Sequence, residues 1–276
     1  MGITVSKNRK GAVAVSLMAL AALLLQGCSD RSVKCTGEAQ CGDGNNRNEG
    51  TKRVAELELV KVIAELEEGV SGETSRNGEK PEKSDDFRGV HIKVTVKDLG
   101  DRPAFISKAT VTFEKSGYLK PCYGIGGDLV STATYDFIIP DDQPRDANKQ
   151  FQHKVPFSLE KELNHEIPAN KYELFTLTVG PKTIPDGGSP WFGVLHVTFL
   201  RDTGEKLKVG PLAVVNSGGN PAFYPEFDSN AWYIEEESVP GCTKENAELV
   251  SSVMKTPNLT PSPEFASLNK DLKKHI

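Results

Sequence analysis

The chain has 276 residues, with 33 Lys and Arg against 38 Asp and Glu, and a formal charge of −5 at pH 7. A chain of this charge is a poor candidate for binding nucleic acid, whose partners present basic patches, and no nucleic acid is expected. The length is enough for one large domain or two small ones.

The first ten residues carry Lys7, Arg9 and Lys10 and no acid, and Gly11 to Leu25 is an uncharged stretch rich in Ala, Val and Leu. A basic start, an apolar run of about 7–15 residues and a small residue before the cut define a secretory signal. A membrane-spanning helix needs ~20 apolar residues, and polar sequence already begins at Gln26. The run closes on Leu25-Gln26-Gly27-Cys28, which resembles the lipobox of bacterial lipoproteins. The resemblance implies that residues 1–27 are removed and that Cys28 takes a diacylglyceryl group. It also implies that the body is held at the extracytoplasmic face of the cell membrane. Each buried lipid CH₂ contributes ~0.8 kcal/mol, so two or more chains hold a protein where one would not. Loss of the basic leader leaves the remainder more acidic still.

With Cys28 assigned to lipid, Cys35, Cys41, Cys122 and Cys242 remain. An even remainder in an exported chain favours disulfides, for which three connectivities are open. The favoured set is Cys35–Cys41 as a local loop and Cys122–Cys242 as a long-range staple. No C-x-x-C occurs and no His stands at ligand spacing from a Cys, so no metal or cofactor is expected.

Residues 28–88 read as a tether. "CGDGNNRNEGTK" is rich in Gly and Asn, and "SGETSRNGEKPEKSDD" (71–86) is a charged linker. Between them, "VAELELVKVIAELEEGV" (54–70) places Leu59, Val62, Ile63, Leu66 and Val70 on one helical stripe. The same residues are β-branched enough for a strand, and both readings stay open.

From Gly89 the apolar period becomes two. Ile92, Val94 and Val96 alternate with His91, Lys93, Thr95 and Lys97, and "GDRP" is a turn. In "AFISKATVTFEK", Phe105, Ser107, Ala109, Val111 and Phe113 fall on one face. "STATYDFIIP", "FQHKVPFSL", "YELFTLTVG", "WFGVLHVTFL" and "KLKVGPLAVV" follow, the last two joined by an Asp-Thr-Gly hairpin signal in "RDTGE". Alternation means one buried face per strand, as in antiparallel sheets packed face to face. The expectation for residues 89–216 is therefore a mainly β, seven-stranded antiparallel sandwich. "VTVKDLGDRPAFISKATVTFEK" resembles the strand–turn–strand opening of Ig-like and fibronectin-like modules of exported bacterial proteins. The whole is similar to uncharacterised lipoproteins of actinobacterial type, a resemblance that implies no activity.

Residues 217–276 read as an aromatic-rich segment and a short helical appendage. Thr243-x-x-Asn246 starts a first helix carrying Ala247, Val250 and Met254. Ser262 caps a second, with Pro263 at its first position and Phe265, Leu268 and Leu272 as a stripe.

Candidate chemistry is sparse. Gly124-Ile125-Gly126-Gly127 is followed by a strand, whereas a phosphate cradle needs a helix there. Asp141, Asp142 and Asp146 share a loop with Arg145 and Lys149, and 6–8 oxygen ligands for Ca²⁺ cannot be named. Glu235, Glu236 and Glu237 read as a solvated edge. His91, His153, His165, His196 and His275 are scattered, "NSGG" (216–219) is only a Ser among glycines, and no G-x-S-x-G or H-E-x-x-H occurs. Trp191, Phe192, Tyr224, Phe227, Trp232 and Tyr233 fit either a core or a recognition surface. No catalytic residue is named. The expected function is that of a non-enzymatic binding or structural module of the cell envelope, with an envelope protein as partner. A secreted hydrolase and a solute-binding lipoprotein of an importer are the rivals.

Overall fold

The computed structural model describes residues 54–276 apart from 77–79, 81, 123–128, 134–135, 185–187, 218–219, 221 and 227–230. Cys28, Cys35, Cys41 and the 124–127 glycines lie outside the described residues. In chain order the first strands are β1 (Leu57–Arg76), β2 (Glu82–Asp98), β3 (Ala104–Tyr118), β4 (Leu129–Ala133) and β5 (Phe137–Ile139). Then come β6 (Arg145–Asp146), β7 (Lys149–His153), β8 (Phe157–Ile167), β9 (Tyr172–Pro181) and β10 (Thr183–Ile184). β11 (Trp191–Arg201), β12 (Lys206–Asn216), β13 (Phe223–Pro225) and β14 (Trp232–Ile234) precede helix α1 (Cys242–Met254). β15 (Thr260–Pro261), α2 (Pro263–Leu272) and a 3₁₀ turn (Lys273–His275) end the chain.

The body is mainly β. One sheet has the order β10-β4-β1-β2-β9-β5; the other runs β15-β12-β11-β3-β7-β6, with β8 also on β3. Both sheets are mixed, because β5 runs parallel to β9 and β15 parallel to β12. This corrects the expectation of seven purely antiparallel strands. The long strands do pair antiparallel, and short segments dock on the outer ones in either direction. Between the sheets, Ile92, Val94 and Val96 of β2 are fully buried against Val111 and Phe113 of β3 and Val197 and Phe199 of β11.

Residues 54–70 are not a helix, and the tether does not extend to residue 88. β1 and β2 pair from Leu57↔Asp98 to Thr74↔Glu82. The helical period has a physical origin. Inward positions run Leu57, Leu59, then Val62, Ala64, Leu66, with a register shift at Leu59/Lys61; after a second shift at Glu67/Val70, Val70 lies opposite Phe87 in a separate small cluster with Ile138. A bulge adds a residue to one strand only, so the inward spacing of two becomes three at the first shift and the apolar face changes at the second, and together the apolar positions mimic a helical stripe. The charged stretch read as a linker is the far end of this ribbon, where Glu73 and Lys83 pair across the strands. On the β2 side of this end, Glu82, Lys83, Asp85 and Asp86 are exposed, so the sequence carries no apolar alternation there.

A further bulge, in β3, corrects the face assigned to "AFISKATVTFEK". Ladder partners skip Ser107 on both sides of β3. Ala104 and Ile106 therefore turn inward with Ala109, Val111 and Phe113, and Phe105 does not. Ser107 Oγ donates to Leu200 O at 3.0 Å.

The helices are a layer rather than an appendage. β11 buries Trp191, Leu195, Val197 and Phe199 between the sheets and Phe192 and Val194 on its other face, so it lacks the single buried face expected of it. On that second face, Ala247, Val250 and Val253 of α1 and Phe265, Leu268 and Leu272 of α2 pack against Phe192, Val194, Ala213 and Val215. Ser262 caps α2 as expected, accepting from the Phe265 N–H at 3.2 Å. α1 begins two residues before its expected start at Thr243, on Gly241 at φ 80°. The Glu237 carboxylate accepts from the N–H groups of Gly241 and Thr243 at 2.7 and 2.6 Å, so one member of the "solvated" acidic run is a helix cap. Those bonds hold its carboxyl below the usual range.

Cys122 and Cys242 form a disulfide with Cα atoms 5.4 Å apart, across 120 residues of sequence. It fastens the start of α1 to the segment leaving β3. Converting Cys242→Ser should lower the free energy of unfolding by ~2–5 kcal/mol. Denaturant titration with and without dithiol checks this: reductant should destabilise the parent and leave the variant unmoved. Ser262→Ala should cost ~1 kcal/mol through the lost cap, and an unchanged midpoint would refute that role.

Candidate functional site

β3 ends Ser116-Gly117-Tyr118, and each residue organises one part of the sheet end. Gly117 pairs with Gln152 of β7. A Cβ on Gly117 would stand 2.6 Å from Phe151 O and 2.8 Å from Gln152 Cα, so only glycine lets β7 approach this closely. Tyr118 is 6% exposed and its OH donates to Thr183 O at 3.4 Å. The Arg145 guanidinium lies 4.9 Å from the centre of its ring. Burial raises the phenol's pKa, and the Arg145 charge opposes the rise.

Tyr118 separates two concavities. One, of about 280 Å³, is lined by Pro140, Asp141, Arg145 and Thr183. The other, of about 460 Å³, runs between β7 and α1. Its α1 wall is fixed by Asn246: the Lys120 N–H donates to Asn246 Oδ1 at 2.8 Å, and Asn246 Nδ2 donates to Lys120 O at 3.0 Å. The same amide reaches Cys122 Sγ at 3.1 Å, beside the disulfide. Lys120 is ion-paired with Glu245. The β7 wall presents Lys149, Gln150 and Gln152, whose side chains make no hydrogen bond or ion pair among the described residues. In the sequence only the i, i+2 spacing of the two glutamines marks this strand.

Beneath the cleft lies a Ser–His pair that no sequence motif announces. Ser116 Oγ and His153 Nδ1 are 2.7 Å apart, and Trp191 Nε1 donates to the same Ser116 oxygen at 3.0 Å. With Trp191 donating in, the Ser116 proton is directed to His153 Nδ1, which assigns His153 as the neutral Nε2–H tautomer. Burial, reinforced by the Arg145 charge, pushes the His153 pKa down to about 4. Ser116 and His153 are 2% and 3% exposed. A serine nucleophile needs an accessible oxygen and an oriented base; this oxygen is enclosed and already serves two partners. The arrangement satisfies three polar groups inside the core.

The other candidates are dispersed. His91 meets Glu67 at 3.2 Å, His196 meets Glu114 at 2.8 Å, and His165 lies 3.7 Å from Glu173. His275 is in the terminal turn. Asp141 lies 3.9 Å from Lys182, Asp146 accepts from the Asn148 N–H, and Asp142 is exposed. Among the described residues no group of three or more His, Cys, Asp or Glu is placed to hold a metal. Of the aromatic set, Trp191, Phe192 and Trp232 are buried and Tyr224 is half-buried, while Tyr233 is 41% exposed and Phe227 lies outside the described residues.

A histidine whose folded pKa lies below its unfolded value is protonated first in the unfolded chain. Stability is then full above pH 6.5 and falls as pH drops toward about 4. The loss over that window should reach up to ~3 kcal/mol. Denaturation at pH 7 and pH 4.5 should show this slope for the parent, and His153→Gln should remove most of it; an equal slope in both would clear His153 of the effect.

No protein-family model matches the chain, and no curated protein matches it. Among solved structures, an X-ray structure described as a Northeast Structural Genomics Consortium target is similar at 10% identity and a TM-score of 0.24, covering 58% of this chain and 84% of that one. A likeness this slight bears on neither fold nor activity.

Proposed function

We propose that the chain is an exported lipoprotein, anchored through Cys28, whose β body is a non-enzymatic binding module of the cell envelope. The observation that carries this reading is the placement of two ends of the body. Val54 and Glu56 are held at the β2–β3 turn: the Val54 N–H donates to Asp101 Oδ1 at 2.7 Å and the Leu99 N–H to Glu56 O at 2.7 Å. Arg201 Nη2 donates to Ala55 O at 2.8 Å. The Tyr118 cleft lies at the opposite end of the strands, because β11 pairs Arg201 with Ile106 and Trp191 with Tyr118. At ~3.3 Å per residue, β11 separates the two ends by roughly 35 Å. The described body therefore begins, at Val54, on the end of the strands opposite the cleft.

The Cys122–Cys242 bond supports export, since such bonds persist in oxidising compartments. No helix among the described residues is long and apolar enough to cross a membrane, and the apolar run 11–25 lies outside them. For the body, β1, β2 and β9 adjoin in one sheet and β8, β3, β11 and β12 in the other, so successive strands cross between sheets. This Greek-key order supports a relationship to Ig-like and fibronectin-like sandwiches, with the short parallel segments as additions.

Cys28→Ala should abolish incorporation of labelled palmitate and release the protein from membranes. Retention without label would replace the lipid by another anchor. A photo-crosslinker at Gln150 should capture an envelope component in intact cells and one at Asp202 should not; equal capture at both would end the assignment of the binding end.

A further inference from the structure

We infer that the larger cleft beside Tyr118 binds a saccharide carrying a carboxylate. The inference rests on the binding-module reading and names its ligand class. A volume of about 460 Å³ is that of a small-ligand site. The chemistry of its walls decides among ligands. Gln150 and Gln152 offer two carboxamides, each with an acceptor oxygen and two donor hydrogens, and neither is engaged within the described protein. A carboxamide meets adjacent sugar hydroxyls with complementary donors and acceptors, which an apolar ligand would leave unpaired at a cost. Phe151 and Leu249 supply the apolar surface on which the C–H face of a sugar ring rests.

Charge sets the subclass. Lys120 is neutralised by Glu245, so Lys149 is the cation of this cleft without an ion-pair partner among the described residues. One uncompensated ammonium in a cleft of an otherwise acidic chain favours one carboxylate on the ligand over a neutral glycan. The α1 wall is rigid, held by Asn246 and the disulfide, so the cleft exists before the ligand arrives.

The test is a calorimetric or NMR titration of the purified body with three probes: oligogalacturonate, a peptide-stripped N-acetylglucosamine–N-acetylmuramic acid tetrasaccharide, and neutral chitotetraose. At least one acidic probe should bind saturably and at least fivefold more tightly than chitotetraose. Lys149→Gln should remove that preference, and the Gln150→Ala/Gln152→Ala pair should weaken the acidic probe at least tenfold, with melting temperatures unchanged in both variants. No saturable binding by either acidic probe overturns the inference, as does binding that the glutamine pair leaves intact. A protein adduct from Gln150 in cells together with blank titrations transfers the cleft to a protein partner. Failure of palmitate labelling alone strikes the anchor and leaves the saccharide assignment standing.

Discussion

The apolar side chains that β11 sends to both faces of its sheet set the number of layers in the body. A strand with one wet face would leave Phe192 and Val194 in water, and burying large side chains of this kind is worth roughly 1.5–3 kcal/mol each. The chain covers them with α1 and α2, whose own stripes have no other place to go. The rest follows from that cover. The disulfide has a helix to fasten, Glu237 has a helix to cap, and Trp232 is held between its backbone bond to Asp271 and its indole bond to Glu264. The cleft exists because α1 and β7 stand on either side of the same sheet end.

Much of the β character was legible because alternation survives wherever a strand runs straight. Ile92, Val94 and Val96 needed only period two, and α2 needed only Ser262, Pro263 and three stripe residues. Alternation fails where the backbone bulges. At Ser107 one extra residue reverses the face of Phe105 and Ile106, and in β1 two shifts turn a strand into the image of a helix. A bulge leaves no mark in composition, because it is imposed by the partner strands. The polar end of β1 and β2 was hidden for the opposite reason: strands built from charged and small polar residues carry no apolar alternation.

The site was less legible than the fold. Ser116 and His153 are separated by 37 positions and meet because Gly117 lets β7 close on β3. Asn246 looked like part of a helix start, yet its side chain faces the backbone of Lys120, a contact only the tertiary fold creates. The aromatic residues drew attention as recognition candidates because Trp and Phe serve cores and interfaces alike; the body uses Trp191, Phe192 and Trp232 for its interior. The unengaged polar groups of the cleft are common residue types on an ordinary-looking strand.

Gly100 gives the body a mechanical polarity. A Cβ there would collide with Val54 O and come within 2.7 Å of Ala55 Cα, so the β2–β3 turn grips the start of β1 backbone to backbone. A pull on the chain at Val54, resisted at the cleft, acts along the strand axes. Antiparallel ladder bonds lie across that direction, so the rungs joining β1 to β2 share the load in shear instead of parting one after another.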